Sequence, residues 1–96
     1  MRYVVHAYDY TDPEVLRRRM AVRPDHLDKV RELSQAGNFV LGGALLDQEG
    51  RMIGSMMVLD FEDAADLERW QASEPYILGK VWEHIDIKPF LQAQLL

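Results

Sequence analysis

Residues 52–61, Met-Ile-Gly-Ser-Met-Met-Val-Leu-Asp-Phe, constrain the fold more than any other stretch. In an extended strand successive side chains point to opposite faces, so Ile53, Met57, Leu59 and Phe61 share one side and Met52, Met56 and Val58 the other. Both sides are apolar, and both therefore call for cover. Burial on both sides is expected, and whatever packs on one face has to be matched on the other.

The rest of the chain supplies cover for one face. Tyr3 to Tyr8 reads as a first strand, rich in β-branched and aromatic residues and closed by the turn formers 9–13. Asp12 followed by Pro13 suits a helix start, so a short helix is expected over 13–20, running into a second start at Pro24. From Pro24, Leu27, Val30 and Leu33 recur at helical spacing until Gly37-Asn38 stops them, which puts His26 in the first turn, bordering the packed face. Phe39 to Leu46 is a second strand interrupted by Gly42-Gly43, and Asp47 to Gly50 is the hairpin turn into the strand at 52–61. Asp63 caps a helix through Ala64, Ala65, Leu67 and Trp70, after which Ser73-Glu74-Pro75 breaks the chain into a short turn closed at Gly79. A last strand alternates Val81, Ile85 and Ile87 against Trp82, His84, Asp86 and Lys88 and is expected to end at Pro89, leaving an apolar tail at 90–96.

This order is β-α-β-β-α-β, the ferredoxin-like arrangement in the α+β class: a four-stranded antiparallel sheet with helices on one face. One domain over 1–96 is expected. The second apolar face of the third strand then calls for a homodimer in which two sheets stack. A domain this small buries only about two thirds of the surface its unfolded chain exposes, which makes such a partner the more useful.

Composition removes several classes of function. There is no cysteine, hence no disulfide framework, thiolate metal site or cysteine nucleophile. The net charge of −5, with both signs interspersed, is unlike the footprint of a nucleic-acid binder. Arg17-Arg18-Arg19 is read as a mostly solvated helix face. The opening run is too short for a signal peptide, and no stretch reaches the roughly 18 apolar residues of a membrane span, so no membrane association and a cytoplasmic location are expected. His6 and His84 stand isolated on strands, without the carboxylates a metal site would need, and Gly42-Gly43 lacks the strand-to-helix context of a phosphate loop.

The remaining candidates for chemistry cluster around His26. A helix start disfavours positive charge, so a histidine there tends toward the neutral imidazole, which is a base. Glu74 is the carboxylate expected to orient it and to stabilise the imidazolium formed when a proton is taken. Ser55 interrupts an apolar strand face and Asp9 ends the first strand, so either could put polar atoms between sheet and helices. Arg19 or Arg23 could meet a substrate carboxylate if the helix points either inward. Trp70, Tyr76 and Trp82 read as core or interface aromatics. A purely structural His26, capping the helix or edging the core, is the plain alternative.

A resemblance sharpens these choices. Arg19 with Arg23-Pro24-x-His26-Leu27, then Gly42-Gly43, Gly54-Ser55, Phe61 with Ala64, Ala65 and Trp70, Glu74-Pro75-Tyr76 with Gly79, and Ile87-Lys88-Pro89-Phe90 together resemble the YCII-related (YciI-like) family along nearly the whole chain. That resemblance implies the dimeric α+β barrel also used by muconolactone isomerases and small cofactor-independent monooxygenases, with an active site built on a His–Asp pair. The histidine carries over to His26 and the acid to Glu74, where glutamate stands in place of the family's aspartate. Ser55 matches the family's Gly-Ser, and Tyr76 completes the acid-Pro-Tyr motif as a candidate binding residue. The expectation is a cofactor-free and metal-free acid/base enzyme of isomerase or lyase type acting on a small polar organic molecule. The alternatives are a non-catalytic small-ligand or accessory dimeric module and a cofactor-free monooxygenase.

Overall fold

The structure is a computed structural model that describes residues 1–95; the last residue of the apolar tail, Leu96, lies outside them. Seven elements follow one another: β1 (Arg2–Asp9), α1 (Val15–Gln35), β2 (Phe39–Leu46), β3 (Met52–Asp60), α2 (Ala64–Ser73), α3 (Pro75–Leu78) and β4 (Trp82–Phe90). The four strands form one antiparallel sheet in the order β2-β3-β1-β4, the ferredoxin-like arrangement.

Strict alternation decides which side is covered. Along β1, Tyr3, Val5, Ala7 and Asp9 are buried, the first three opposite Leu59, Met57 and Ser55 of β3 in register. With Phe61, Trp70, Tyr76, Val81 and Trp82 they make the core between sheet and helices. The other face carries Val4, His6 and Tyr8 of β1 beside Met56 and Val58 of β3 and Leu41 of β2. Val58 is closed over by its neighbours, whereas Tyr8, Leu41, Leu46 and Phe90 are exposed there. Ile53, placed by alternation on the helix side, is also exposed, because it lies at the far end of β3 beyond the cover of the helices.

Four local expectations fail, each for a physical reason. Residues 15–35 form one helix, with Pro24 inside it rather than opening a second. The ring removes the bond that a residue-24 N–H would make to the Met20 carbonyl, but Met20 and Pro24 both lie on the exposed side, where water can hydrate the freed oxygen. Packing of the buried face through Arg19 and His26 outweighs the local break. His26 is therefore near the middle of the helix, and the macrodipole argument for its neutrality lapses.

Asp12 does not cap that helix: its Oδ2 accepts from the Glu14 N–H at 3.0 Å, and both its oxygens bind the Arg18 guanidinium at 2.8 Å. Arg18 is the main reason the Asp12 carboxyl is held down at about 2. Nor does Pro89 end β4, which runs to Phe90; β4 is an edge strand, where a missing N–H costs no ladder bond. A bulge in the same strand, where pairing passes from Tyr8↔His84 to Asp9↔Trp82, skips Glu83. It swings Trp82 to the helix side, where only 3% of it is exposed, instead of the alternating position opposite Ile85.

The other helix signals hold. Asp63 caps α2 by accepting from the Asp66 N–H, and Glu74 caps α3 with Pro75 at its first position. The tail beyond β4 does not pack down: Leu91 and Leu95 are almost fully exposed. No helix among the described residues is long and apolar enough to cross a membrane.

Candidate functional site

The fold brings α1, β2, β3 and α3 around a small cavity of about 100 Å³, lined among others by Arg23, His26, Phe39, Gly42, Ser55, Met57 and Tyr76. For scale, a cavity of roughly 150 Å³ in another protein takes one benzene. Gly42 lets β2 approach β3 closely at the cavity wall, since a Cβ there would sit 2.7 Å from the Met56 carbonyl oxygen.

His26 and Glu74, 48 residues apart, meet at 2.5 Å between Nδ1 and Oε1. Glu74 is fully buried, held by its position as the α3 cap, and the same Oε1 accepts from the Tyr76 N–H at 3.1 Å. An ionised carboxylate can only accept, so Nδ1 carries a ring hydrogen toward Glu74, and in the neutral form of the ring Nε2 is then the nitrogen with the free lone pair. No described residue bonds Nε2, and the ring forms part of the cavity wall. Its plane is fixed by stacking on Tyr76, with centroids 3.9 Å apart and an interplanar angle of 14°, and by the edge of Trp82 at 6.0 Å. Glu74 Oε2 is buried without a protein partner.

Beneath this pair lies a second buried ion pair. Arg19, 2% exposed, donates through Nη1 to both oxygens of Asp9 at 2.9 and 2.8 Å, and through Nη2 to the Gly54 carbonyl and to Ser55 Oγ, each at 3.0 Å. Its guanidinium also lies 4.7 Å from the Tyr76 ring centroid. Burial pushes the Asp9 carboxyl up, and Arg19 offsets part of that rise. Burial likewise raises the Tyr76 hydroxyl, against the pull of Arg19 and Arg23.

The arginine run thus divides in three. Arg17 is largely exposed, Arg18 binds Asp12, and Arg19 is a core strut rather than part of a solvated face. Of the sequence candidates, Arg19, His26, Ser55 and Tyr76 line the cavity, and Glu74 stands behind the His26 ring, fully buried. Arg23, half-buried, joins them with no hydrogen bond or ion pair among the described residues. Asp9 stands behind Arg19, outside the cavity wall, and the terminal nitrogens of Arg19 are already engaged. Sequence reasoning missed Trp82, whose Nε1 donates to Ser55 Oγ at 3.2 Å, because alternation without the bulge points its ring away. Among the described residues, no three His, Asp or Glu side chains converge as a metal site.

Comparison with known proteins places this arrangement. The YCII-related domain matches residues 1–91. Protein YciI of Escherichia coli is 30% identical over 96 residues, spanning 94% of this chain and 96% of that protein. An uncharacterized Haemophilus influenzae protein is 31% identical over the same shares. Among solved structures, a 5-chloro-2-hydroxyhydroquinone dehydrochlorinase from Burkholderia phenoliruptrix, in complex with 2,5-dihydroxybenzoquinone, superposes with a TM-score of 0.83 at 16% identity, over 97% of this chain and 96% of that one. An antibiotic biosynthesis monooxygenase gives 0.54 at 19% identity, over 98% of this chain and 100% of that one. These likenesses show a shared ferredoxin-like α+β fold. With the family match running through β1 to β4, the chain belongs to the YCII-related domain family.

Proposed function

We propose that this protein is a small-molecule enzyme that performs acid/base chemistry of isomerase or lyase type without a cofactor. The observation that carries the reading is the buried His26–Glu74 contact of 2.5 Å, with the second ring nitrogen unpartnered at a cavity. His26 Nε2 takes a proton from the substrate, and Glu74 holds the ring's tautomer and balances the imidazolium charge. Tyr76 fixes the ring plane by stacking, so a proton can leave and return along one direction. Ser55 and Arg23 hold the substrate against the base. Glutamate in the place of the family's aspartate is accommodated because α3 presents its carboxylate as a helix cap. The quinone complex of the dehydrochlorinase supports small, flat substrates for a neighbour of this fold.

Solvent exchange tests this reading before any product is identified. Small lactones, halogenated phenols and unsaturated acids incubated with the protein in deuterated water should include one that exchanges a carbon-bound hydrogen faster than its buffer control, read by NMR. A panel without protein-dependent exchange or turnover would leave a non-catalytic binding module as the better account.

We also propose that the protein works as a homodimer, its open sheet face meeting that of a second copy. The support is the exposure of Tyr8, Leu41, Leu46 and Phe90 on the uncovered side of the sheet. Light scattering at micromolar concentration should return twice the chain mass of 11.1 kDa. A mass that stayed at 11.1 kDa would remove the stacked-sheet arrangement.

A further inference from the structure

Ser55 is hydrogen-bonded in an unusual sense. Its Oγ receives Arg19 Nη2 at 3.0 Å and Trp82 Nε1 at 3.2 Å, and guanidinium and indole N–H groups can only donate. A hydroxyl oxygen has two acceptor positions and one hydrogen, so both acceptor positions are filled. No described residue accepts the hydrogen, and Ser55 is part of the cavity wall. Neither donor can turn away cheaply: Arg19 is anchored by Asp9 and Gly54, and Trp82 is 3% exposed in the core. The Arg23 guanidinium, without a protein partner among the described residues, borders the same cavity.

We propose that Ser55 is a specificity-determining residue, locked by Arg19 and Trp82 as a donor, and that with Arg23 it selects small molecules bearing an oxyanion on a planar carbon, an enolate or phenolate. The proposal rests on the acid/base reading for its chemical use. When His26 Nε2 takes a proton from carbon, the electron pair of the broken C–H bond moves onto the adjacent carbonyl oxygen. The Ser55 hydrogen and the Arg23 charge then stabilise that oxygen until the imidazolium returns the proton to carbon. A neutral hydroxyl in this place could accept the Ser55 hydrogen, but it must place its own hydrogen elsewhere and offers no charge for Arg23 to meet, so the oxyanion is the better fit.

Binding alone tests the lock. The probes are 4-nitrophenol and the smaller acetylacetone, whose ionised and neutral forms differ in absorbance, titrated with and without protein across pH. In the unmodified protein at least one bound probe should ionise at lower pH than the free probe. Ser55→Ala should weaken binding of the anion by about 10- to 100-fold while leaving the neutral form little affected. Trp82→Phe should vacate one acceptor position on Ser55, so that the preference for the anion shrinks although the hydroxyl remains. Failure of both probes to ionise more readily when bound would overturn the proposal, as would an anion preference unchanged in both variants. His26→Gln separates the two readings. Anion binding that depends on Ser55 but comes without exchange or turnover upholds the donor site and sinks the enzyme, whereas His26-dependent turnover with no anion preference does the reverse.

Discussion

His26→Gln should leave the protein folded and reduce turnover by roughly 10² to 10⁴, the usual loss on removing a general base. Glutamine can still donate to Glu74 Oε1, so the buried carboxylate keeps a partner, and the main structural loss is the stack on Tyr76, worth about 0.5–1.5 kcal/mol. What disappears is the lone pair of Nε2. Glu74→Gln should do less harm to the rate, because the base survives. It removes the charge that balances the imidazolium and places an amide NH2 where Oε2 already lacks a partner, so a shifted pH dependence should accompany the slower turnover. Steady-state rates and melting temperatures for both variants make the comparison. Unchanged turnover in His26→Gln at an unchanged melting temperature would return His26 to a structural role beside Tyr76.

The largest effect on stability belongs to Arg19. Arg19→Met keeps most of the apolar stem but strands Asp9, which is 7% exposed, without its counter-charge; breaking a buried pair in this way costs about 3–5 kcal/mol. For a domain of this size that is on the order of 15–30 °C in melting temperature. In the variant, burial acts on Asp9 unopposed, so its folded-state pKa rises further above the unfolded value. A group raised in this way stabilises most below its unfolded pKa and loses that contribution as pH climbs through the folded value. The deficit of Arg19→Met against the parent should therefore be smallest in mild acid and grow toward neutrality. Adding Asp9→Asn should recover much of the loss. A double variant no more stable than Arg19→Met alone would mean that the vacated volume, not the stranded charge, sets the cost.

Strand and helix order were legible because apolar periodicity is a local property: β3 reads as doubly buried from its own residues, Asp63 announces a helix start, and Ser73-Glu74-Pro75 marks the break after it. The errors arise where a distant contact overrules a local rule. Pro24 signals a helix start, yet on either side of it Arg19 ties one continuous helix to β1 and β3 and His26 ties it to Glu74 and α3. Trp82 alternates away from the core until the bulge at Glu83 reverses it, and nothing in its neighbours marks that bulge. The 2.5 Å pairing of His26 with Glu74 matches the expectation from the place of Glu74 before Pro75 in the break after the second helix, and the family resemblance points to the same acid. The burial of Arg19 was hidden for a related reason: three adjacent arginines look alike until one faces Asp9 across the core.

The place of β1 in the middle of the sheet also governs when this protein can exist. Val5 pairs with Met57 on one side and with Ile87 on the other, so the first strand made must wait for β3 and then β4 before its ladder is complete. Such sequence-distant pairing slows folding, because loop closure must be achieved before these contacts reward it. On the ribosome, β1 is thus an unfinished template with two open edges until β3 has emerged and one until residues 82–90 follow. His26 and Ser55 are synthesised well before the Trp82 that holds Ser55 in place, so the site is assembled by the closing strand and no nascent fragment ending before β4 carries it.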